Sequence, residues 1–167
     1  YLKNSPIVEL EESNRYQVEL GVLTHYIKNG HEGAFTENYL WRSLFGLFFW
    51  DIIFDPDSEA LHHPLQIMPS DFYTHEFYKK RKLLIHERLT LLSRPRKFRQ
   101  LILKNFETKT GTNNPMVYWN EIVLPLIFKC HQKLEPQQLG SVLVEMAKNP
   151  RENVRGFPDL FVWNQEE

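Results

Sequence analysis

Near the end of the chain, one acidic residue stands between a turn and an apolar run. Gly156-Phe157-Pro158 has the composition of a turn, and Asp159 follows it directly. The Leu-Phe-Val-Trp run after Asp159 has the β-branched and aromatic composition of a short strand. A carboxylate in this position suits Mg²⁺, which also takes water and phosphate oxygens as ligands. Alternatively, Asp159 accepts hydrogen bonds from nearby backbone N–H groups in the turn.

A second acidic residue, Glu37, lies at the start of the most hydrophobic segment of the chain. This segment predicts a single long helix over residues 36–54, buried because it is apolar nearly all round. The spacing places Glu37 on one helical face with Trp41 and Phe48. Glu37 is therefore either a first-turn acid that complements the helix dipole, or a second carboxylate directed at the same site as Asp159.

Positive charge is concentrated in the middle of a nearly neutral sequence. Residues 79–109 contain 11 Lys and Arg against 2 acidic residues, whereas the whole chain has a formal charge of −1. Such a segment is typical of a polyanion-binding surface, and the alternative is that it neutralises the acidic residues before it within the fold. Arg155, four residues before Asp159, is also suited to a phosphate. The candidates for phosphate contact are Lys79, Lys80, Arg81, Lys82, Arg94, Arg96, Lys97 and Arg155.

The remaining periodicity predicts a mainly helical chain around these candidates. An amphipathic helix over residues 15–28 is expected to end at Asn29-Gly30, with a loop over residues 29–35. Four more helices are expected over residues 70–92, 95–106, 117–133 and 136–148, the first of them interrupted or bent near residues 73–75. The third of these four is expected to bend at Pro125.

Composition excludes several other classes of protein. With 42% hydrophobic residues the chain is not disordered, and no run reaches the roughly 18 apolar residues of a membrane span. The single cysteine, Cys130, excludes an internal disulfide framework and suits a reducing compartment. Because Cys130 lies in an apolar helical pattern, it is expected to be an inert core residue. The sequence contains no Gly-rich phosphate loop, zinc pattern or Gly-x-Ser-x-Gly motif.

Three segments together resemble a known nuclease family. Thr36-Glu37-Asn38 with the apolar run over residues 44–54 resembles the opening helix of the virus-type replication–repair nuclease (VRR-NUC) domain of the Fanconi-anaemia-associated nuclease. Gly156-Phe157-Pro158-Asp159 and the run after it resemble the family's metal-binding strand. Pro69-Ser70-Asp71-Phe72 and Phe77-Tyr78-Lys79-Lys80-Arg81 are similar to the segment that follows the family's first helix. The resemblance covers residues 15–164 and is nearer to the bacterial members.

The resemblance implies a fold, an activity and a ligand set. The expected fold is helix-rich α/β, with a restriction-endonuclease-like core and an added basic helical insertion over residues 65–150 of one partial nuclease domain. The expected activity is phosphodiester hydrolysis on 5′-flap or branched DNA, dependent on Mg²⁺ or Mn²⁺, in interstrand-crosslink repair. Glu37 and Asp159 match the family's metal ligands. The expected location is intracellular, in the bacterial cytoplasm or the eukaryotic nucleus according to the source.

The chain departs from the family in one respect. The family completes its site with a Glu-x-Lys motif on the next strand, whereas this sequence ends at Glu167, eight residues after Asp159. We therefore expect a partial domain that lacks the C-terminal strand pairing with the Asp159 strand, lacks the closing helix, and is inactive by itself. The alternative function is a non-catalytic DNA-binding or interaction module on a nuclease-like scaffold.

Overall fold

A computed structural model describes residues 7, 9–10, 12–63 and 65–164 of the chain; the terminal Glu167 lies outside this range. The fold is helix-rich α/β, as predicted. Contacts divide the described residues into two compact units, one formed by the chain up to Glu37 and from Pro158 onward, the other by Asn38–Phe157. The elements are α1 (Val18–Lys28), β1 (His31–Phe35), α2 (Tyr39–Phe48), α3 (Trp50–Ile53), α4 (Glu76–Leu89), α5 (Pro95–Lys109), α6 (Val123–Lys133), α7 (Pro136–Lys148), α8 (Pro150–Asn153) and β2 (Leu160–Asn164). That the chain forms one nuclease domain with an insertion over residues 65–150 stays a prediction.

The first unit contains an antiparallel pair of strands. In the register of β1 and β2, His31 lies opposite Asn164 and Phe35 lies opposite Leu160. Strand β2 confirms the strand predicted after Asp159, but one expectation was wrong. Residues 31–35 form a strand and not a loop, and this strand pairs with β2.

Gly33 explains why β1 looked like a loop. A Cβ atom at this position would lie 2.7 Å from Leu23 Cδ1 on α1 and 3.1 Å from the Phe161 carbonyl oxygen on β2. The glycine therefore permits close packing of α1 against the strand pair, and it does not mark a turn. Strand propensity is weak enough for such packing to override it.

The second unit is built around α2. Leu40, Leu44, Phe45 and Phe48 on this helix are fully buried, and α2 packs against α5 and α6. Gly46 permits a close approach, since a Cβ there would lie 2.8 Å from Val117 Cγ2. The burial of α2 confirms the prediction for the hydrophobic segment.

The predicted single helix over residues 36–54 is interrupted. Helix α2 begins at Tyr39, and the chain breaks at Phe49 before the short α3. Side chains from α4 and α5 satisfy backbone carbonyls around the break: Asn105 Nδ2 donates to Leu47 O at 2.7 Å, and Arg88 Nη1 donates to Phe48 O at 2.7 Å. Hydropathy does not reveal the break because the sequence is apolar on both sides of it, whereas the two polar donors lie 40 or more residues away.

Two further helices begin later than predicted. Helix α4 begins at Glu76, because residues 70–75 form turns. Helix α6 begins at Val123, so Pro125 lies in its first turn and not at a bend. Backbone N–H groups in a first turn have no intrahelical partner, so a proline is tolerated there. Among the described residues, none of the helices is long and apolar enough to cross a lipid bilayer.

Candidate metal centre and nucleic-acid surface

The backbones of Glu37 and Asp159 meet where the β1–β2 pair ends. The Asp159 carbonyl oxygen accepts the backbone N–H of Thr36 at 2.8 Å and that of Glu37 at 3.3 Å. Asp159 immediately precedes β2, and its side chain and that of Glu37 are both exposed. The structure thus brings together two acids that are 122 residues apart in sequence.

Glu37 occupies this position in a backbone conformation that glutamate rarely adopts. Its φ angle is +39°, and it lies in the turn between β1 and α2. The prediction that Glu37 shares a helical face with Trp41 and Phe48 was therefore wrong, because the helix has not yet begun at residue 37. A left-handed backbone costs a non-glycine residue about 1–3 kcal/mol, and such strain is found mainly at functional sites.

Each of the two residues beside Glu37 forms a hydrogen bond with one of the two residues that precede Asp159. In the first unit, Thr36 is buried and its Oγ1 donates to the Pro158 carbonyl oxygen at 3.3 Å. In the second unit, Asn38 Oδ1 accepts the Phe157 N–H at 3.3 Å, and Trp41 stacks on the Phe157 ring with centroids 5.3 Å apart. Spacing along the sequence gave no signal for these contacts, since they join segments about 120 residues apart.

The two carboxylates fit part of a divalent-ion site. Carboxylate oxygens are the ligands that Mg²⁺ prefers, and it commonly takes one or two of them together with water and phosphate oxygens. Within the described ranges, no group of three or more His, Cys, Asp or Glu residues is arranged to hold a metal ion. The candidate donor set in the described residues is therefore the pair Glu37 and Asp159, both of them exposed to solvent.

One predicted phosphate contact is excluded by the structure. Arg81 is only 1% exposed, its Nε donates to Ile52 O at 2.9 Å, and its Nη1 lies 2.8 Å from Asp71 Oδ2. The guanidinium also lies over the Phe77 ring. Arg81 is therefore a core residue. The sequence did not reveal the burial of Arg81 because this residue lies in a run of four cations, and only one position of that run faces the core.

The other predicted cations are on the surface. Lys79 is 76% exposed and 3.2 Å from Glu76, and Lys80 lies 3.9 Å from Asp71. Lys82 on α4 is exposed, and so is Arg155 in the turn before Asp159. Three further exposed cations lie at the start of α5: Arg94, Arg96 and Lys97. Seven of the eight candidates thus remain accessible to a phosphate.

Comparison with known proteins shows that the chain is similar to a group of DNA nucleases. Residues 93–167 match the VRR-NUC domain family, and the chain overlays a solved structure of paFAN1 bound to 2nt 5′-flap DNA with a gap at a TM-score of 0.75 and 26% identity. That overlay covers 95% of this chain and 31% of the other. The resemblance suggested by the motifs is thereby confirmed as a similarity: residues 93–167 match the VRR-NUC domain family, and the fold matches that of a similar nuclease.

Two relatives are similar to this chain over most of its length. The chain is 28% identical to the Fanconi-associated nuclease 1 homolog of Arabidopsis thaliana, over 94% of this chain and 18% of the relative. It is 29% identical to the homolog of Pseudomonas aeruginosa, over 86% of this chain and 25% of the relative. The chain is thus similar to Fanconi-associated nuclease 1 proteins, and it spans no more than about a quarter of the length of these two relatives.

Proposed function

We propose that this chain is part of a metal-dependent, structure-selective DNA nuclease, in which Glu37 and Asp159 bind the divalent ion. The observation that carries the proposal is the meeting of the two acids at the end of the β1–β2 pair, where Asp159 O accepts the Glu37 N–H. A nuclease of this family implies a divalent metal ion. The two hard oxygen donors favour Mg²⁺ or Mn²⁺.

Different residues of the chain have different roles in the proposed reaction. Glu37 and Asp159 would hold the ion. The exposed cations Arg94, Arg96 and Arg155 would bind backbone phosphates and so hold the DNA without reading its sequence. A bound divalent ion supplies Lewis-acid chemistry, helping a water to ionise and neutralising charge on the phosphate and the leaving oxygen.

The substrate and setting follow from the relatives. A similar solved structure contains 5′-flap DNA, and the relatives are named Fanconi-associated nucleases. We therefore propose a 5′-flap or branched DNA substrate and a role in interstrand-crosslink repair. This role places the protein inside the cell, in the nucleus of a eukaryote or the cytoplasm of a bacterium.

Acid-to-amide variants of the two ligands test this proposal. In the natural full-length polypeptide that carries this sequence, Glu37→Gln and Asp159→Asn are each expected to lower Mg²⁺-dependent cleavage of a 5′-flap substrate at least about a hundredfold. The reason is that loss of a ligand exceeds the 10–100-fold cost typical of losing a partner outside the metal's direct ligands. Undiminished cleavage by both variants overturns the proposal.

The chain supplies a matched control for this experiment. Glu59 is also an exposed glutamate with a left-handed backbone, at φ +55°, but it lies in the loop after α3. Glu59→Gln therefore reproduces the change of charge and the unusual backbone conformation away from the proposed ligands. It is expected to cleave at the unaltered rate.

A second function is favoured by one observation. Because the described residues contain no cluster of three metal-binding side chains, the chain also suits a non-catalytic DNA-binding or interaction module. That function predicts salt-sensitive DNA binding that does not need a divalent ion, and no cleavage by the natural full-length polypeptide. Measuring binding and cleavage of one flap substrate with Mg²⁺ and with EDTA separates the two functions.

A further inference from the structure

The carboxylates of Glu37 and Asp159 have no side-chain partner of their own among the described residues. No hydrogen bond or ion pair is formed by either group there, although Arg81 and Arg88 pair with other acids. The position of each carboxylate therefore depends on the backbone that carries it. For Glu37 this backbone is in a strained left-handed conformation, which persists only when the surroundings enforce it.

Thr36, the residue before Glu37, supplies such enforcement within the first unit. Its hydroxyl donates to the Pro158 carbonyl oxygen at 3.3 Å, and its backbone N–H donates to the Asp159 carbonyl oxygen at 2.8 Å. The Thr36 side chain is buried, so water does not compete for its hydrogen bond. Both bonds therefore join the residue before Glu37 to Asp159 and to the residue that precedes it.

We propose that Thr36 is a positioning residue of the metal centre, which fixes the backbone of Glu37 beside that of Asp159. This inference rests on the proposed function and adds a residue that does not touch the ion. Partners outside a metal's direct ligands typically change affinity 10–100-fold when they are removed. Because the side-chain hydrogen bond of Thr36 is long, at 3.3 Å, the lower end of that range is expected.

Mn²⁺ binding without DNA tests the proposal independently of cleavage. The probe is Mn²⁺ alone, titrated into the natural full-length polypeptide and followed by the electron paramagnetic resonance signal of the free ion. Thr36→Val removes the side-chain hydrogen bond and is expected to weaken Mn²⁺ binding about tenfold. Thr36→Ser keeps the hydroxyl donor and is expected to bind Mn²⁺ as tightly as the unaltered protein.

A control and a second variant keep the test sharp. Thr110→Val removes a comparable hydroxyl, which donates to Phe106 O at 2.6 Å in the second unit, and it is expected to leave Mn²⁺ affinity unchanged. If Thr36→Val unfolds the protein, Thr36→Ala replaces it, since it also removes the hydroxyl. Weaker binding by Thr36→Ala than by Thr36→Ser then supports the proposal, and equal binding by both overturns it.

The outcomes separate this inference from the proposed function. If Glu37→Gln abolishes Mn²⁺ binding while Thr36→Val binds as tightly as the unaltered protein, the positioning role is overturned and the metal centre stands. Weakened binding by Thr36→Ser also overturns the positioning role. If Glu37→Gln itself leaves Mn²⁺ affinity unchanged, the metal centre is wrong and the positioning role is overturned with it.

Discussion

The second unit, called the helical unit here, and the strand pair of the first unit differ in whether their acidic side chains are paired with cations. In the helical unit, Asp71 is buried against Arg81 at 2.8 Å, and Asp51 forms two hydrogen bonds with Arg88, at 2.8 and 2.5 Å. Beside the strand pair, Glu37 and Asp159 come together by their backbones, and no described cation pairs with either. The first arrangement neutralises charge within the fold, whereas the second leaves both carboxylates without a partner among the described residues.

The contrast suggests different uses for the same residue type. A carboxylate paired with arginine contributes to the fold, and the basic segment over residues 79–109 partly serves this purpose through Arg81 and Arg88. Two carboxylates that share a site need a cation to compensate them. The arginines of the basic segment that pair with acids therefore serve the fold, and its exposed cations are the ones proposed to contact a polyanion.

The largest expected effect is on the buried ion pair. Asp71→Ala leaves the Arg81 guanidinium buried without its counter-ion, and loss of one partner of a buried pair costs about 3–5 kcal/mol of unfolding free energy. Urea denaturation of the chain measures this cost. Asp159→Ala is the matched control, since substitution of an exposed acid is expected to change the stability by less than about 0.5 kcal/mol.

A double variant shows whether the charge itself is the cause. Asp71→Leu combined with Arg81→Met removes both charges, and apolar replacement of a whole buried pair is often neutral. The double variant is therefore expected to be more stable than Asp71→Ala. Equal losses in Asp71→Ala and Asp159→Ala would contradict the division between structural and ligand acids.

The next effect is stabilisation by a divalent ion. An ion that binds only the folded protein, present at about ten times its dissociation constant, adds about 1.4 kcal/mol to the unfolding free energy. Thermal unfolding of the natural full-length polypeptide with and without Mn²⁺ is expected to show this gain. The gain should disappear in Asp159→Asn and remain in Asp51→Asn; if both variants keep it, the ion binds elsewhere.

The fold was predictable from sequence wherever one segment carried its own signal. Helix α5 begins at Pro95, and α7 begins after Glu135, as their caps and periodicity predict. Strand β1 was missed because its glycine serves a contact with α1 that the segment itself does not encode. The break at Phe49 was missed because side chains from distant helices satisfy the carbonyls around it.

The same reasoning from sequence predicted only part of the candidate site. Residue types and motif resemblance singled out Glu37 and Asp159. The spacing argument for Glu37 assumed a helix that already includes residue 37, whereas α2 begins at Tyr39. The contacts of Thr36 and Asn38 join opposite ends of the sequence, so no local pattern could show them. The burial of Arg81 required knowing which face of α4 meets the core.

The smallest effect concerns the exposed ion pair, and its pH dependence distinguishes it from the buried one. Burial on its own raises the pKa of Asp51, but the hydrogen bond and charge of Arg88 outweigh burial, so the pKa lies below its ordinary value of 3.8. A lowered folded-state pKa stabilises the protein above the unfolded-state pKa, and this contribution is lost as the pH falls through the folded-state value. Because the Asp51 side chain is 61% exposed, solvent screening limits the contribution to about 0.5 kcal/mol.

Comparing the chain with Asp51→Asn over a pH series measures this contribution. The difference in urea midpoint is expected to be present near neutral pH and to shrink as the pH falls below 3.8. Added salt should reduce it further at neutral pH, since screening weakens an exposed pair more than a buried one. A difference that grows on acidification would mean that burial dominates the Asp51 environment, and the two arginine-paired acids would then no longer share one explanation.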